Sequence, residues 1–501
     1  MELKPSVSPN AVRKLNMKEF GEILKNVIMQ KSSVKDVAQY CNISERTLYR
    51  YIKGERKPDS IEVVEKMARF LTMDPRTKTQ FIEAFKAMVV GVDVYRKRQM
   101  IDAFMKSLIA MKITDKLNER PRIFAKNSLM EGTMPIYDDR TLQMVIQHIL
   151  SQRAEETDNN TLYIASGPSN MDIFESLRNT SVHSANIEHI IALSVNDSES
   201  TAIDSIQYLS HLIPLVVGNS GYRVYSYFME ANAGGELYMS YPEIIIAGQE
   251  VLAYSCKSKN GILFNDSKMA DFFLANFNEL KKGSDPFVHA LSSDTLSEDY
   301  LGNFMHMFSD KEYRGIVSVS PCTAVIANDE IIGRCVKKDG ITHDALENYN
   351  IYRTEGTKLM TSNSLTGDVL SMQGVNAFLA TGKLSDTPDN MYNPPSEADR
   401  YTCIENLYNL AKTKEPYSYR FRFLKDTWQI GDYGVEIGIS STLITIAFKR
   451  ENGQIGFFTI NDPGTILAFC DYIDSQLDEI AFSEEESLSK LHDILEKHRK
   501  K

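Results

Sequence analysis

The segment from Ser33 to Pro58 constrains the fold most, because two helix starts and a sharp turn follow one another within it. Ser33 and Asp36 have the spacing of a capping box, in which a serine hydroxyl caps the first turn of a helix. Asn42 stands where the chain must turn, and asparagine tolerates a positive φ better than any residue except glycine. Ser44 then begins a second helix. The pattern predicts two short helices joined by a tight turn, the arrangement of a helix-turn-helix.

Basic and aromatic residues lie on the outer face of that second helix, predicted over residues 45–53. Helices in this arrangement enter the major groove of DNA, where arginine can bridge O6 and N7 of guanine and threonine can contact a thymine methyl. The residues predicted to contact base edges are Arg46, Thr47, Tyr49 and Arg50. Those predicted to hold phosphates are Lys35, Lys53, Arg56 and Lys57. A solvated basic helix in a small bundle is the alternative interpretation.

The stretch VAQYCNISERTLYRYIKGERKPDSIEVVEKMARFL resembles the Xre/Cro, lambda-repressor-like family of DNA-binding proteins. The matching positions are Ala38, Ile43-Ser44, Thr47-Leu48, Arg50 and the loop Gly54-x-Arg56-x-Pro58. The sequence departs from the family at Asn42, where a turn glycine is usual, and at Tyr51, where an aliphatic residue is usual. The resemblance implies an all-α helix-turn-helix domain over residues 1–75 that binds double-stranded DNA.

Charge is distributed unevenly along the chain. Residues 1–130 hold 26 Lys and Arg against 15 Asp and Glu, a net of +11, whereas the other 371 residues have a net of −22. A basic head on an acidic body predicts that the head meets a polyanion.

Composition limits the class of protein. With 43% apolar and 25% charged residues, the chain is typical of a globular protein. No apolar run approaches the ~18 residues of a membrane span, and the first residues do not read as a secretory signal. The six cysteines form no C-x-x-C pair, which favours reduced thiols over a structural zinc site. We expect a cytoplasmic protein without a metal or cofactor.

Residues 76–118 are predicted to form a helical connector. Apolar side chains recur at helical spacing, among them Phe81, Phe85, Phe104 and Leu108. Repressors of the resembled class bind as dimers to half-sites about one DNA turn apart, so a homodimer contact is expected here. Packing against the rest of the same chain is the alternative.

Strand and helix patterns alternate from residue 119 onwards, which predicts a body with a mixed α/β fold. We expect two lobes, 119–290 and 291–501, so that the whole chain is multidomain: an all-α head and a two-lobed α/β body. Each lobe ends in an Asn-Gly hairpin, an Asn-Asp pair and a helix, at Asn260-Gly261 and at Asn452-Gly453. The second lobe is interpreted as a repeat of the first, although a coincidence of common units would look the same.

The close of the first lobe, IIIAGQEVLAYSCKSKNGILFNDSKMADFFLANFNEL, resembles the end of phospholipase-D-like domains. These include degenerate copies that sense effectors in TrmB-type transcriptional regulators. Catalytic members carry H-x-K, and the one match among the nine histidines, His498-Arg499-Lys500, lies at the lysine-rich end of a predicted amphipathic helix and not in the segment that resembles these domains. Phosphate-binding and hydrolase motifs are also missing from the sequence. The resemblance therefore implies a fold and a sensing role, and the chain is predicted not to be an enzyme.

Loops after the strand ends are the predicted site for a small-molecule effector, because ligands bind at the carboxyl ends of strands in α/β sheets. The candidates are Ser166, Ser169, Asn170 and Ser320, with helix capping as their alternative role. The sequence thus predicts a sequence-specific transcriptional regulator with a non-catalytic body that senses an effector or mediates assembly. Two alternatives stay open: a nucleic-acid-directed enzyme with an unrecognised active site, and a protein-binding scaffold in a phage or defence system.

Overall fold

The computed structural model describes these residues: 9–110, 132–155, 161–167, 170, 172–179, 186–194, 198–219, 221–229, 243–288, 298–337, 343–365, 367–384, 387, 389, 391–413, 419–431, 434–449 and 455–499. The chain divides into two compact units, Met1–Met100 and Ile101–Lys501. Within the described ranges no helix combines the length and apolar character needed to cross a membrane.

The described part of the first unit is built from helices. They are α1 (Pro9–Lys31), α2 (Val34–Cys41), α3 (Glu45–Ile52), α4 (Ile61–Phe70), α5 (Pro75–Val90) and the start of α6 (Val92–Ile109). One core unites α1 to α5, and its largest side chains include Phe20, Tyr51 and Phe81. Phe20 and Phe81 stack with ring centroids 4.5 Å apart, which fixes α5 against α1.

The connection between α2 and α3 follows from three polar residues. Ser33 accepts a hydrogen bond from the Asp36 amide at 3.2 Å, so it caps α2. Asn42 has φ 55° and ψ 45°, the left-handed conformation that ends α2. Ser44 accepts from the Thr47 amide at 3.1 Å and caps α3. Two helices joined by a tight turn are therefore present where the sequence predicts them.

The second unit begins with the C-terminal half of α6 and contains two sheets. The elements of the first sheet and its helices are β1 (Gly132–Ile136), α7 (Asp139–Glu155), β2 (Thr161–Ser166), α8 (Asp172–Asn179), β3 (Asn186–Ser194), α9 (Ser198–Gly218), β4 (Tyr222–Met229), β5 (Glu243–Ala247), β6 (Glu250–Ser255), β7 (Asn260–Asn265), α10 (Ser267–Lys282) and β8 (Asp285–Val288).

The second sheet and its helices complete the chain. They are α11 (Glu298–Ser309), β9 (Gly315–Ser318), α12 (Thr323–Ile326), α13 (Asp329–Cys335), α14 (His343–Ile351), a π-helical turn (Tyr352–Gly356), α15 (Thr357–Asn363), β10 (Asp368–Leu370), α16 (Met372–Thr381), α17 (Glu397–Lys412), β11 (Phe421–Phe423), β12 (Val435–Ile439), β13 (Ile444–Lys449), β14 (Ile455–Ile460), α18 (Pro463–Ile480) and α19 (Glu484–Arg499). The chain is a multidomain protein of mixed α/β structure, which confirms that level of the predicted fold class.

Six strands follow the same order in the two sheets. The first runs β1-β7-β6-β5-β2-β3-β4-β8 and the second β14-β13-β12-β9-β10-β11. In each sheet three strands are parallel, β2-β3-β4 in the first and β9-β10-β11 in the second. The next three strands along the chain, β5-β6-β7 and β12-β13-β14, extend the sheet as antiparallel strands, beginning beside β2 and β9 respectively. Strands β1 and β8 are additions at the edges of the first sheet. The order of six strands is therefore shared, a property that the sequence resemblance between the lobes only suggests.

A closing helix follows the last shared strand of each sheet. Asp266 caps α10 by accepting from the Lys268 and Met269 amides, and Asp462 caps α18 by accepting from the Thr465 amide. The Asn-Asp pairs singled out in the sequence therefore mark helix starts.

The end of α6 packs inside the second unit. The rings of Phe104 and Phe469 of α18 pack edge to face, with their centroids 5.8 Å apart. The Tyr472 hydroxyl donates to Asp102 at 2.7 Å. The Gly431 amide donates to the Ile109 carbonyl at 2.7 Å. This part of the predicted connector therefore packs within its own chain, which was one of the two alternatives for it.

Candidate nucleic-acid interface and buried polar sites

The outer face of α3 presents most of the residues predicted to contact bases. Arg46, Tyr49 and Arg50 are exposed, and Tyr49 is 49% exposed despite its large aromatic ring. Within the described ranges neither arginine has an ion-pair partner. Thr47 differs, since it is half-buried and its hydroxyl lies 2.8 Å from the Ser44 hydroxyl at the helix cap. Three of the four side chains therefore project outwards together.

The inner face of α3 explains why those side chains point outwards. Leu48 and Tyr51 are fully buried in the core of the first unit. Because they lie three residues apart, they face the same side of the helix, and residues 46, 49 and 50 fall on the other side. The exposure of Arg46 and Arg50 therefore follows from the packing of their neighbours.

The residues predicted to hold phosphates divide into two groups. Lys35, Lys53 and Lys57 are exposed. Arg56 is half-buried and donates to both carboxylate oxygens of Asp59, at 2.9 and 3.1 Å. That pair orders the loop after α3 and neutralises part of the Arg56 charge, so Arg56 is less available to a phosphate than the lysines.

Ser166, a predicted effector residue, lies in a buried chain of hydrogen bonds. Its hydroxyl is 2.7 Å from Nε2 of His189, and Nδ1 of His189 is 2.7 Å from the Tyr222 hydroxyl. The three residues lie on β2, β3 and β4, and all are buried. Burial lowers the pKa of His189 to about 3, so the imidazole is neutral near pH 7. This chain of hydrogen bonds therefore links the three strands, and Ser166 has an internal partner.

The other predicted effector residues also have internal roles. Asn170 is buried, donates to the Tyr254 hydroxyl at 2.8 Å and accepts from the Ile173 amide at 3.3 Å. Ser320 is buried, and its carbonyl accepts from the Ser318 hydroxyl at 2.7 Å. Ser169 lies outside the described residues. Asn170 therefore has the alternative role of helix capping, since it accepts from an amide in the first turn of α8, whereas Ser166 and Ser320 form other internal hydrogen bonds. Their role in binding an effector stays a prediction.

Two buried carboxyl groups are functional candidates that the sequence argument missed. Glu243, at the start of β5, accepts from the Cys256 amide at 3.2 Å and from the Cys256 thiol at 2.9 Å. Burial raises the pKa of Glu243. Asp368, at the start of β10, accepts from the Ile316 amide at 2.9 Å and from the Tyr419 hydroxyl. Burial raises the pKa of Asp368 to about 6.

A sequence signal existed for both groups. Each carboxyl is the first residue of a strand whose other residues are apolar, EIIIA and DVL. A charge at the edge of such a run is ordinarily solvated, and only the neighbouring strands show that these two are buried. In the described part of the chain, no three histidine, cysteine, aspartate or glutamate side chains cluster as a metal site would require.

Comparison of the sequence with known proteins identifies no family. No family model matches the chain, and no curated protein matches it. Solved structures do match, with low scores. Phosphatidylserine synthase from Haemophilus influenzae Rd KW20 has 10% identity and a TM-score of 0.23, over 73% of this chain and 94% of its own. TrmBL2, an archaeal chromatin protein with a novel mode of DNA binding, has 9% identity and a TM-score of 0.21, over 56% and 100%.

Polyphosphate kinase from Porphyromonas gingivalis has 10% identity and a TM-score of 0.22, over 87% of this chain and 60% of its own. Phospholipase-D-like proteins and a TrmB protein, the two groups that the body resembles in sequence, are therefore among its structural neighbours. No comparison supports the Xre/Cro resemblance, which stays a prediction. Scores this low assign no particular reaction or ligand to this chain.

The comparisons correct one prediction. The chain was expected not to be an enzyme, because the segment that resembles phospholipase-D-like domains holds no H-x-K and the phosphate-binding and hydrolase motifs are missing. Two of the structural neighbours, phosphatidylserine synthase and polyphosphate kinase, are enzymes. The prediction that excluded catalysis is therefore wrong, since missing motifs do not exclude an active site assembled from other residues, the alternative that the sequence analysis left open.

Proposed function

We propose that this chain binds double-stranded DNA through α2 and α3, which act as a helix-turn-helix, and that it regulates transcription at the bound site. The observation that carries the proposal is the outer face of α3, where Arg46, Tyr49 and Arg50 are exposed side by side. Exposed arginines on a short helix held by a capped turn match the way in which such helices enter the major groove.

Electrostatics adds affinity without sequence information. Lys35 lies in the first turn of α2, and Lys53 and Lys57 flank the loop after α3, so positive charge surrounds the proposed recognition helix. Lysines placed in this way neutralise phosphates and release counterions, which makes binding strong in dilute buffer and weak in salt. The strongly acidic remainder of the chain would oppose binding of DNA elsewhere.

The test is binding of the full-length chain to duplex DNA from the region upstream of its own gene. A double variant, Arg46→Ala with Arg50→Ala, is expected to lose the mobility shift, because both lost groups are exposed contacts and the core is untouched. Arg69→Ala is the matched control, since Arg69 is an exposed arginine on α4 outside the proposed interface. Binding that survives in the double variant would overturn the proposal.

A second candidate function is that of a nucleic-acid-directed enzyme, in which the head brings the body to its substrate. The observation that favours it is Glu243, a buried carboxyl with a raised pKa beside the Cys256 thiol at the carboxyl end of the parallel strands. Carboxyls with a raised pKa are candidates for general acids, and perturbed groups cluster at functional sites.

Turnover assays separate this candidate from a regulator without activity. The full chain would be incubated with labelled single-stranded and double-stranded nucleic acids and with a simple phosphodiester. If Glu243 acts as an acid, Glu243→Gln abolishes turnover and leaves DNA affinity unchanged. Glu279→Gln is the control, because Glu279 is an exposed carboxylate paired with Lys282 on α10. Turnover that is equal in wild type and Glu243→Gln removes Glu243 from consideration.

A further inference from the structure

We infer that the DNA selected by this chain carries two guanines about two base pairs apart, one contacted by Arg46 and the other by Arg50. The inference rests on the proposed function and adds the base class that the recognition helix reads. Arginine donates two parallel hydrogen bonds to O6 and N7 of guanine, a pairing that other bases do not offer in the major groove.

The spacing of the two guanines comes from the helix. Arg46 and Arg50 are separated by four residues, so they lie about 6 Å apart along the axis and about 40° apart around it. One base pair rises about 3.4 Å, so a helix lying along the groove sets the two guanidinium groups about two base pairs apart. Lys53 follows seven residues after Arg46, on the same stripe and one turn beyond Arg50.

Competing interactions leave these two arginines as the groups best placed to read guanine. Arg56, the other arginine predicted to contact DNA, is held by Asp59 through two hydrogen bonds. The Thr47 hydroxyl is occupied at the cap of α3. Tyr49 has a single hydroxyl donor, so it cannot form the two parallel hydrogen bonds that arginine makes to guanine. Its exposed ring is placed to contact a thymine methyl.

The helix that carries the arginines is fixed at both ends. Ser44 caps its start, and the buried residues Leu48 and Tyr51 hold its middle and end in the core. A fixed helix presents the two guanidinium groups at a constant separation, whereas a frayed one would accept several spacings. The structure therefore supports a preference for one spacing rather than for guanine content alone.

The experiment is a selection from a duplex library with about 20 random base pairs, two helical turns of DNA, by the full-length chain. The wild type is expected to enrich two guanines about two base pairs apart. Arg46→Ala is expected to remove the preference at one of them and Arg50→Ala at the other, each with a loss of affinity of about tenfold or more. Replacing each guanine by 7-deazaguanine, which lacks N7, should weaken wild-type binding and leave the matching variant unaffected.

Three outcomes are distinguishable. Enrichment of the guanine pair with position-specific losses supports the inference, and Arg69→Ala should then select the same sequences as wild type. Selection of a motif without the guanine pair, or equal weakening on all sequences by both variants, overturns the inference while leaving DNA binding intact. Failure to bind any duplex in dilute buffer overturns the proposed function itself.

Discussion

At the scale of single residues, exposure divides the predicted site residues into those that face outwards and those with internal partners. Arg46 and Arg50 were predicted correctly as exposed because their helix is short and strongly amphipathic, so local spacing suffices. Ser166 was expected to face a ligand, yet its partner His189 is 23 residues away on the next strand. No local pattern reveals such a pairing, because it depends on which strands lie side by side.

Asp368→Asn is predicted to raise stability at neutral and alkaline pH. The pKa of Asp368 is about 6 in the folded chain against 3.8 as its ordinary value, so folding favours the protonated form. The stability that Asp368 contributes is therefore full below pH 4 and is lost as the pH rises through 6. Asparagine cannot ionise, and the variant should gain about 3 kcal/mol relative to wild type between pH 4 and pH 8.

Urea unfolding at several pH values, followed by the fluorescence of Trp428, measures this gain. Trp428 suits the purpose because it is buried and is the one tryptophan of the chain. Asp310→Asn is the opposite control. Burial alone would raise the pKa of Asp310, but hydrogen bonds from Glu312 and Ser441 lower it, so that variant should lose stability at neutral pH. A gain for Asp368→Asn that does not change with pH would contradict the account.

At the scale of elements, caps were predicted more accurately than turns. The caps of α2 and α3 and the start of α10 lie where the sequence places them. The hairpin at Asn260-Gly261 does not, because the turn lies over residues 256–259 and Lys259 takes the positive φ of 55°. Gly261 is instead a strand residue opposite Tyr254, where an added Cβ would lie 2.8 Å from the Tyr254 Cβ. The hairpin at Asn452-Gly453 lies outside the described residues.

Asn42→Val is predicted to loosen the turn between α2 and α3. A β-branched residue at φ 55° costs about 1–2 kcal/mol in the left-handed region, whereas glycine adopts it freely. Amide hydrogen exchange over residues 34–52 should therefore become faster in Asn42→Val and stay close to wild type in Asn42→Gly. Equal exchange in all three proteins would show that the turn does not depend on the conformation of residue 42.

At the scale of the whole molecule, the alternation of strands and helices predicted a mixed α/β body, and the repeated segments suggested two related lobes. The common order of six strands in both sheets relates the lobes more strongly than the repeated segments do. The sequence could not predict that order. Strand order depends on contacts between distant segments, such as β2 with β5 and β9 with β12. The described end of α6 likewise contacts side chains far along the chain, at residues 428–472.

Phe104→Ala is predicted to destabilise the second unit by about 3–5 kcal/mol, because the side chain is 2% exposed and its removal leaves a cavity beside Phe469. Trp428 reports on this region directly, since Lys106 of α6 lies over its ring. Phe272→Ala is the matched control, because Phe272 is 59% exposed and should change stability by less than about 0.5 kcal/mol. Equal effects of the two variants would show that α6 does not depend on this contact.

The salt dependence of DNA binding by the full-length chain tests the central claim most directly. Fluorescence anisotropy with a labelled duplex between about 50 and 200 mM salt gives the slope of log affinity against log salt concentration. Three exposed lysines, Lys35, Lys53 and Lys57, predict a slope of about −3 for each bound chain. Lys57→Ala should reduce its magnitude by about 1. No binding to duplex DNA at the lowest salt concentration would contradict the account.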